Sequence, residues 1–328
     1  MLEGSFMSEY ESDNSLSSIS LGIDGVVVVL SWFGKGDTIE CVRSLMQDPC
    51  SPHVLVVDNG SFDGVLEEVS IEWPGVSTLQ TGENLGFAGG MNRGIQWALD
   101  HGATYITVLN NDTIVPVGAL ARSQDLAIGR RAVSPTIYYR DRPTDIWFAG
   151  GTLDRSLMYS HHTPISRLQK CEGGIRRTQL LAGCCVTASA EIWRTVGLFD
   201  ERFFLNFEDS EWSMRASAAG VELIIDCSTR ILHAVSASFV GAAGYLGTFY
   251  FVRNGLLFNR LSGGSLASRG RFLRHKGLLA VAASSRAGDR RRAVRQAVLV
   301  ATAVACYLLG RFGAAPRSTQ RMVAGWRV

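Results

Sequence analysis

Residues able to do chemistry gather at the ends of apolar runs in this chain. The stretch VLNNDTIVP, Val108–Pro116, opens as a buried strand and ends in Asn110, Asn111 and Asp112. An N-x-D pattern there reads as an Asx turn or as an anchor for a hard divalent cation, which takes oxygen ligands and keeps phosphate oxygens in its shell. Asp58, in VVDNGS, caps another apolar run. It reads as a turn or as a carboxylate accepting hydrogen bonds from a nucleobase or ribose. GLFDERFFLNFEDSEW places Glu208 and Asp209 at a helix start after an aromatic run. Carboxylates there cap the helix, or act as a general base whose basicity rises in an apolar pocket. His233 ends TRILH, as a structural imidazole or a metal ligand. The glycine-rich TGENLGFAGGMNRG, Thr81–Gly94, leads into a helix. It is a flexible connection or lets a pyrophosphate reach backbone N–H groups. It is neither a dinucleotide fingerprint nor a Walker A loop.

These residues need a sheet to bring them together. GVVVVLSW (Gly25–Trp32), HVLVVDNGS (His53–Ser61), GVSTLQTG (Gly75–Gly82) and ATYITVLNND (Ala103–Asp112) read as strands buried on both faces, as in parallel sheets. Helices are expected between them at Asp37–Met46, with Asp37 as N-cap, near Gly64–Ser70, and at Ala88–His101 before Gly102. This alternation indicates a doubly wound α/β half, in which ligands bind beyond the carboxyl ends of the strands. Ser31, the Asp58 loop and Asn110–Asp112 end three of those strands. Further on, Arg131–Tyr139 and Thr178–Ser189 read as strands, with a turn-rich loop between them. Ser189–Gly197 and Glu208–Gly220 read as helices, followed by two short strands, VELIID and TRILH.

Charge divides the chain of 328 residues unevenly. From Arg253 onward there are 15 Lys+Arg and one acidic residue, leaving 17 basic and 29 acidic residues before it: −12 for the body and +14 for the tail. Such a tail calls for an anionic partner. Its apolar run Ala297–Leu309 is 13 residues long, short of the roughly 20 that span a bilayer. It suits a helix lying in a membrane interface, the alternative being an ordinary core helix. Seven cysteines with no C-x-x-C pair argue against a disulfide framework and for a reducing cytosol; Cys184 and Cys185 read as core thiols. Residues 1–23 are Ser-rich and acidic, and read as a disordered leader without a secretory signal.

In order and spacing, VVDNGSFDG, ENLGFAGGMNRG, LNNDT, GLFDERFFLNFEDSEWSMRASAAG, ILHAVSAS and FYFVRNGLL make this chain resemble the family 2 inverting glycosyltransferases of GT-A fold, above all their bacterial rhamnosyl- and galactofuranosyltransferase-like branch. The resemblance covers roughly Val26–Leu257. It implies an α/β catalytic domain over 24–240, with a nucleotide-binding half to about 116 and an acceptor half beyond, then a basic helical tail over 241–328. It implies that Asp209 is the catalytic base, and that Asp112 and His233 hold Mg²⁺ or Mn²⁺ against the donor diphosphate. Ser31, Asp58, Asn84, Gly86, Gly89, Asn92, Asn110 and Asn111 fall to the donor. Glu208, Trp212, Trp147 and Arg253 fall to the acceptor side, with Phe148, Phe203, Phe204 and Phe207 as part core, part wall. Asn110 stands where many members have Asp, and Met91 where many have Arg.

The implied reaction moves a sugar from a nucleotide-diphosphate donor, first dTDP-rhamnose and next UDP-galactofuranose or another UDP-hexose, to a hydroxyl of a lipid-linked or polysaccharide acceptor. The implied setting is cell-envelope glycan synthesis at the inner face of the plasma membrane, and an oligomer is compatible with it. Competing readings fit less well. A nucleotidyltransferase would carry an extended basic loop after the first strand, which LSWFGKGDTIE lacks. A non-enzymatic nucleotide-sugar-binding module would have lost Asp209 or Asp112. Nucleic acid binding is disfavoured by the acidic body and the apolar run in the tail.

Overall fold

The computed structural model describes residues 24–49, 52–235 and 242–326; the expected leader and the expected junction at residue 240 lie outside them. The first half runs β1 (Gly25–Ser31), α1 (Lys35–Met46), β2 (His53–Asp58), α2 (Val65–Glu72), β3 (Ser77–Gln80), α3 (Gly86–Asp100) and β4 (Tyr105–Asn110). Its strands pair in parallel in the order β3-β2-β1-β4. The continuous apolar strands are central because both their faces are covered. Val26–Val29 of β1 are all 0% exposed, at about 1.5–3 kcal/mol for each valine buried. Glycine brings α3 close to this sheet. A Cβ at Gly94 would stand 2.1 Å from Val28 Cγ1, and one at Gly90 2.6 Å from Leu30 Cδ1.

The second half runs β5 (Thr113–Ile114), α4 (Ala119–Leu126), β6 (Arg131–Tyr139), β7 (Ile146–Phe148), β8 (Gly151–Asp154), β9 (Tyr159–His162), β10 (Ile175–Arg177), β11 (Cys185–Ser189), α5 (Ala190–Val196), α6 (Glu208–Ala218) and β12 (Glu222–His233). The sheet continues from β4 as β11-β6-β12-β10. There β11 is antiparallel to both neighbours, while β12 runs parallel to β6. A hairpin of β8 and β9 stands apart from it.

Local chemistry explains where sequence expectations and structure part. VELIID and TRILH form one strand, because Asp226 bridges the bulge between them: Oδ1 accepts from Ser228 N at 2.9 Å and Oδ2 from Arg122 Nε at 2.9 Å. Thr178–Ser189 is strand only from Cys185. The expected loop between β6 and β11 contains the short β7, β8, β9 and β10. Asp37 does not cap α1, which starts two residues earlier; its carboxylate takes Arg140 Nη2 at 3.2 Å. Ser189 does cap α5, accepting from Ile192 N at 3.3 Å.

One cysteine pairing was not anticipated. Cys171 and Cys227 form a disulfide. They stand 56 residues apart and meet only because β10 pairs with β12, so no short spacing betrays them. Cys41, Cys184, Cys185 and Cys306 are free and buried.

The C-terminal helices are α7 (Ala242–Leu261), α8 (Leu266–Phe272), α9 (Leu279–Arg286), α10 (Arg290–Leu308) and α11 (Arg317–Ala324). They share a core of Phe249, Val252, Leu256, Phe272, Leu299 and Ala303. Leu257 and Phe258 of α7 pack instead with Phe203 and Phe207 of the α/β body. The run Ala297–Leu309 is therefore half core, with Leu299, Val300, Ala303 and Cys306 buried. Among the described residues no helix is long and apolar enough to cross a membrane.

Candidate active site

A cavity of about 550 Å³ opens where β4 and β12 end and β11 begins. Asn110, Asp112, Trp147, Glu208, Asp209 and His233 all line it. Two pairings deliver the first of these. The turn after β4 leads into β5, and β5 pairs with the end of β12 in the register His233↔Thr113. Asp112 O also accepts from Ala234 N at 2.9 Å. His233 Nε2 consequently lies 3.0 Å from Asp112 Oδ1. It is also 3.3 Å from Asn110 Nδ2. One nitrogen cannot donate to the carboxylate and accept from the amide at once, and we favour the shorter, charge-assisted contact to Asp112.

Asn110–Asp112 does form a turn, and it leaves Asn110 and Asp112 lining the cavity. Asn111 Nδ2 turns the other way, donating to Thr38 Oγ1 at 2.9 Å and Gly34 O at 3.3 Å, and ties the segment to α1. Asp112 and His233 are 8% and 5% exposed and converge from two strands. His233 Nδ1 is buried with no hydrogen-bond partner among the described residues. Carboxylate oxygen and imidazole nitrogen suit Mn²⁺ and, less strongly, Mg²⁺. Among the described residues no group of three or more His, Cys, Asp or Glu surrounds such a position. The pair fits an ion whose other ligands are phosphate oxygens and water.

Asp209 faces the same cavity from the first turn of α6. Its Oδ2 accepts from Gly183 N at 2.9 Å and its Oδ1 from Ser210 N at 2.6 Å. Glu208 beside it is buried, and its Oε2 has no hydrogen-bond partner among the described residues. Burial, then the charge of Asp209, pushes the Glu208 carboxyl up to about 8. The approach to α6 is unusual: Phe204, Asn206 and Phe207 all have positive φ, at 60°, 70° and 73°. Asn254 of α7 holds this turn, its Nδ2 donating to the carbonyls of Phe203, Leu205 and Asn206. Gly313 N adds a bond to Arg202 O at 2.9 Å.

The remaining expected donor residues organise strand ends outside the cavity. Asp58 accepts from Ser61 N and Phe62 N at 3.0 Å and from Gln80 Nε2 at 2.7 Å. Burial alone would raise its carboxyl, but the Ser61, Gln80 and Phe62 donors outweigh it and hold it below the usual range. Ser31 Oγ lies 2.9 Å from Thr38 Oγ1. Asn92 clamps α3 to the loop before Phe199, exchanging bonds with its N and O at 3.0 and 2.9 Å. The N–H groups that open α3 already have protein partners: Leu85 N on Asn59 Oδ1, Gly86 N on Asn84 Oδ1, and Phe87 N on Phe204 O. A Cβ at Gly86 (φ 75°) would stand 2.3 Å from Phe204 O, and one at Gly89 2.8 Å from Leu85 Cβ. These glycines let protein atoms approach the start of α3 closely.

Two acceptor-side expectations do not reach the cavity. Trp212 is 1% exposed, with its ring 4.6 Å from that of Trp193 and Nε1 bonded to Gly197 O, so it is core. Arg253 is 0% exposed among the rings of Phe249, Tyr250 and Phe312 and donates to Gly313 O at 2.7 Å. Phe203 is core and Phe204 stacks on Tyr250, whereas Phe148 and Phe207 do line the cavity. His161, His162, Tyr159 and Phe87 line it too and were not anticipated. Trp147 stands edge-on between His233 and His162, at 4.5 and 4.9 Å. An adjacent His pair in a chain with only six histidines was the available signal.

The chain is similar to known glycosyltransferases. The family model described as Glycosyl transferase family 2 matches residues 27–181. The chain is 28% identical over 203 residues to the N-acetylglucosaminyl-diphospho-decaprenol L-rhamnosyltransferase of Mycobacterium tuberculosis, a match covering 55% of this chain and 66% of that protein, just under two thirds of it. It is 24% identical over 238 residues to the dTDP-rhamnosyl transferase RfbF of Shigella flexneri, covering 67% of this chain and 74% of that protein. In fold it is similar to a mannosyltransferase from Pyrobaculum calidifontis in complex with GDP-Man and Mn²⁺, with a TM-score of 0.54 at 16% identity over 92% of this chain and 85% of that one.

Proposed function

Since the chain belongs to glycosyl transferase family 2, its family domain covering residues 27–181, we propose that it is an inverting, metal-assisted transferase of a sugar from a nucleotide-diphosphate donor. The observation that carries this reading is the shared cavity, with the Asp112–His233 pair on one wall and Asp209 on another. Asp209 takes the proton of an acceptor hydroxyl, held for this by the Gly183 and Ser210 N–H groups. The acceptor oxygen bonds to the anomeric carbon from the face opposite the nucleotide. The bond from that carbon to the diphosphate breaks, its electron pair leaving with the diphosphate. One displacement with no protein nucleophile inverts the configuration. A Mg²⁺ or Mn²⁺ held by Asp112 and His233 would neutralise charge on the departing diphosphate.

The donor is dTDP-rhamnose: both relatives are named for rhamnose transfer, and RfbF for its dTDP-linked form. The acceptor is lipid-linked, by analogy with the decaprenol-bearing substrate that the first of them names. UDP-galactofuranose is the donor to screen beside it. Asp209→Asn should keep donor binding, seen as thermal stabilisation, and lose turnover by about 10²–10⁴-fold. Turnover within tenfold of wild type would overturn the base assignment. Asp112→Ala should abolish the part of dTDP-rhamnose affinity that depends on Mg²⁺ or Mn²⁺. Equal calorimetric affinity with and without the ion in the wild-type protein would remove the metal from the reading.

A further inference from the structure

The C-terminal helices leave one apolar face uncovered. On α10, Val294, Val298, Ala301, Ala305 and Leu308 recur at intervals of three and four residues, and with Leu309 at the C-cap, four beyond Ala305, they form one stripe. All six are exposed, with Val294 at 63%, Leu308 at 74% and Leu309 at 66%. The stripe lies opposite the face that Leu299, Val300, Ala303 and Cys306 bury against the other helices. The outer face of a helix in water is ordinarily polar; here both faces are apolar.

Charge surrounds the stripe at its ends. Arg290 and Arg291 precede it, Arg311 and Arg317 follow it, and all four are exposed. Among the described residues, none of them is in an ion pair. The one acidic residue from Arg253 onward, Asp289, is spent on capping α10, accepting from Arg292 N at 2.8 Å.

We propose that this face seats the protein on an anionic lipid surface. Helix α10 lies in the plane of the interface, its stripe among the upper acyl chains and its arginines at the headgroups. A second copy of the chain is a poorer occupant. Two-fold pairing of the stripe, parallel or antiparallel, would set arginines against arginines, in a segment with 15 Lys+Arg and one acidic residue. The surface is separate from the cavity, and the proposal does not rest on the transferase reading.

The test is co-sedimentation of the full chain with phosphatidylglycerol–phosphatidylcholine vesicles, and with phosphatidylcholine vesicles alone. The wild-type protein should sediment with the anionic vesicles, less so as salt rises, and not with the neutral ones. Leu308→Asp combined with Val298→Asp should lower the partition coefficient by at least about tenfold and leave the melting temperature within a degree or so of wild type, because both side chains are exposed. Unchanged partitioning of that variant would overturn the proposal. So would failure of the wild-type protein to bind anionic vesicles. A dimer in solution that the same variant dissociates would assign the face to a second copy instead.

Discussion

Glu208 and Asp209 are chemically alike and adjacent, yet the fold treats them differently. Asp209 is met by two N–H donors at the cavity wall, while Glu208 Oε2 is buried without a partner among the described residues. The Glu208 carboxyl, pushed up from 4.5 to about 8, is therefore neutral in the folded protein over a range where it ionises in the unfolded chain. The folded state binds the proton more tightly, so this site favours folding below pH 4.5, and that support is lost as pH rises toward 8. Glu208→Gln should raise the melting temperature at pH 8 to 9, by up to a few kcal/mol of stability, and change it little near pH 4. An equal effect at both ends of a pH series would contradict the burial argument. The residues themselves were legible in sequence, because each sits at the end of a strand or the start of a helix. Their division of labour was not. Which carboxylate meets Gly183, and which one is enclosed, depends on a loop brought in from the β10–β11 connection.

At the scale of elements, the turn before α6 is the point of tension. Positive φ at three non-glycine residues costs on the order of 1 kcal/mol each, and Asn254 offsets it through three backbone carbonyls. Asn254 is a positioning residue, since it is 0% exposed and does not line the cavity. Asn254→Ala should lower kcat by roughly tenfold or more, with a stability loss of about 1–3 kcal/mol. Donor KM should stay close to wild type, because Asp112 and His233 lie on other elements. A rise in donor KM with unchanged kcat would show that the turn serves binding instead. The sequence motif FYFVRNGLL drew attention to this place, but to Arg253 rather than its neighbour. A charged side chain is the natural suspect on sequence alone. Only packing reveals that the arginine is stacked among aromatic rings and that the amide does the holding. The glycines of α3 carry the same lesson. Their spacing resembled a phosphate cradle, and their closest neighbours are Val28, Leu30 and the Phe204 carbonyl.

For the whole molecule, the boundary that charge draws at Arg253 is not a structural boundary. The basic helices share Leu257 and Phe258 with Phe203 and Phe207 of the acidic body, and Phe251 lines the cavity. A chain truncated after residue 240 should therefore lose turnover and expose Phe203 and Phe207. It should aggregate or bind a hydrophobic dye where the full protein does not. A truncated chain that stayed monodisperse and turned over donor would show that the helices are an appendage. The order of the α/β sheet was readable in advance because buried parallel strands write continuous apolar runs. The Cys171–Cys227 bond and the β5–β12 pairing were not, since each joins positions that only the finished sheet makes neighbours.

The bond between Arg202 and Gly313, with the grip of Asn254 on the same turn, also has a meaning in time. A ribosome releases the β-strands, Asp112, Asp209 and His233 well before it releases the residues that fix the turn beside Asp209. The nascent chain can shape its first four strands early, but Asp209 is not locked in place until the residues through Gly313 have emerged. The turn beside Asp209 is in this way completed only after Gly313 has emerged, when the helix carrying the apolar stripe is also complete.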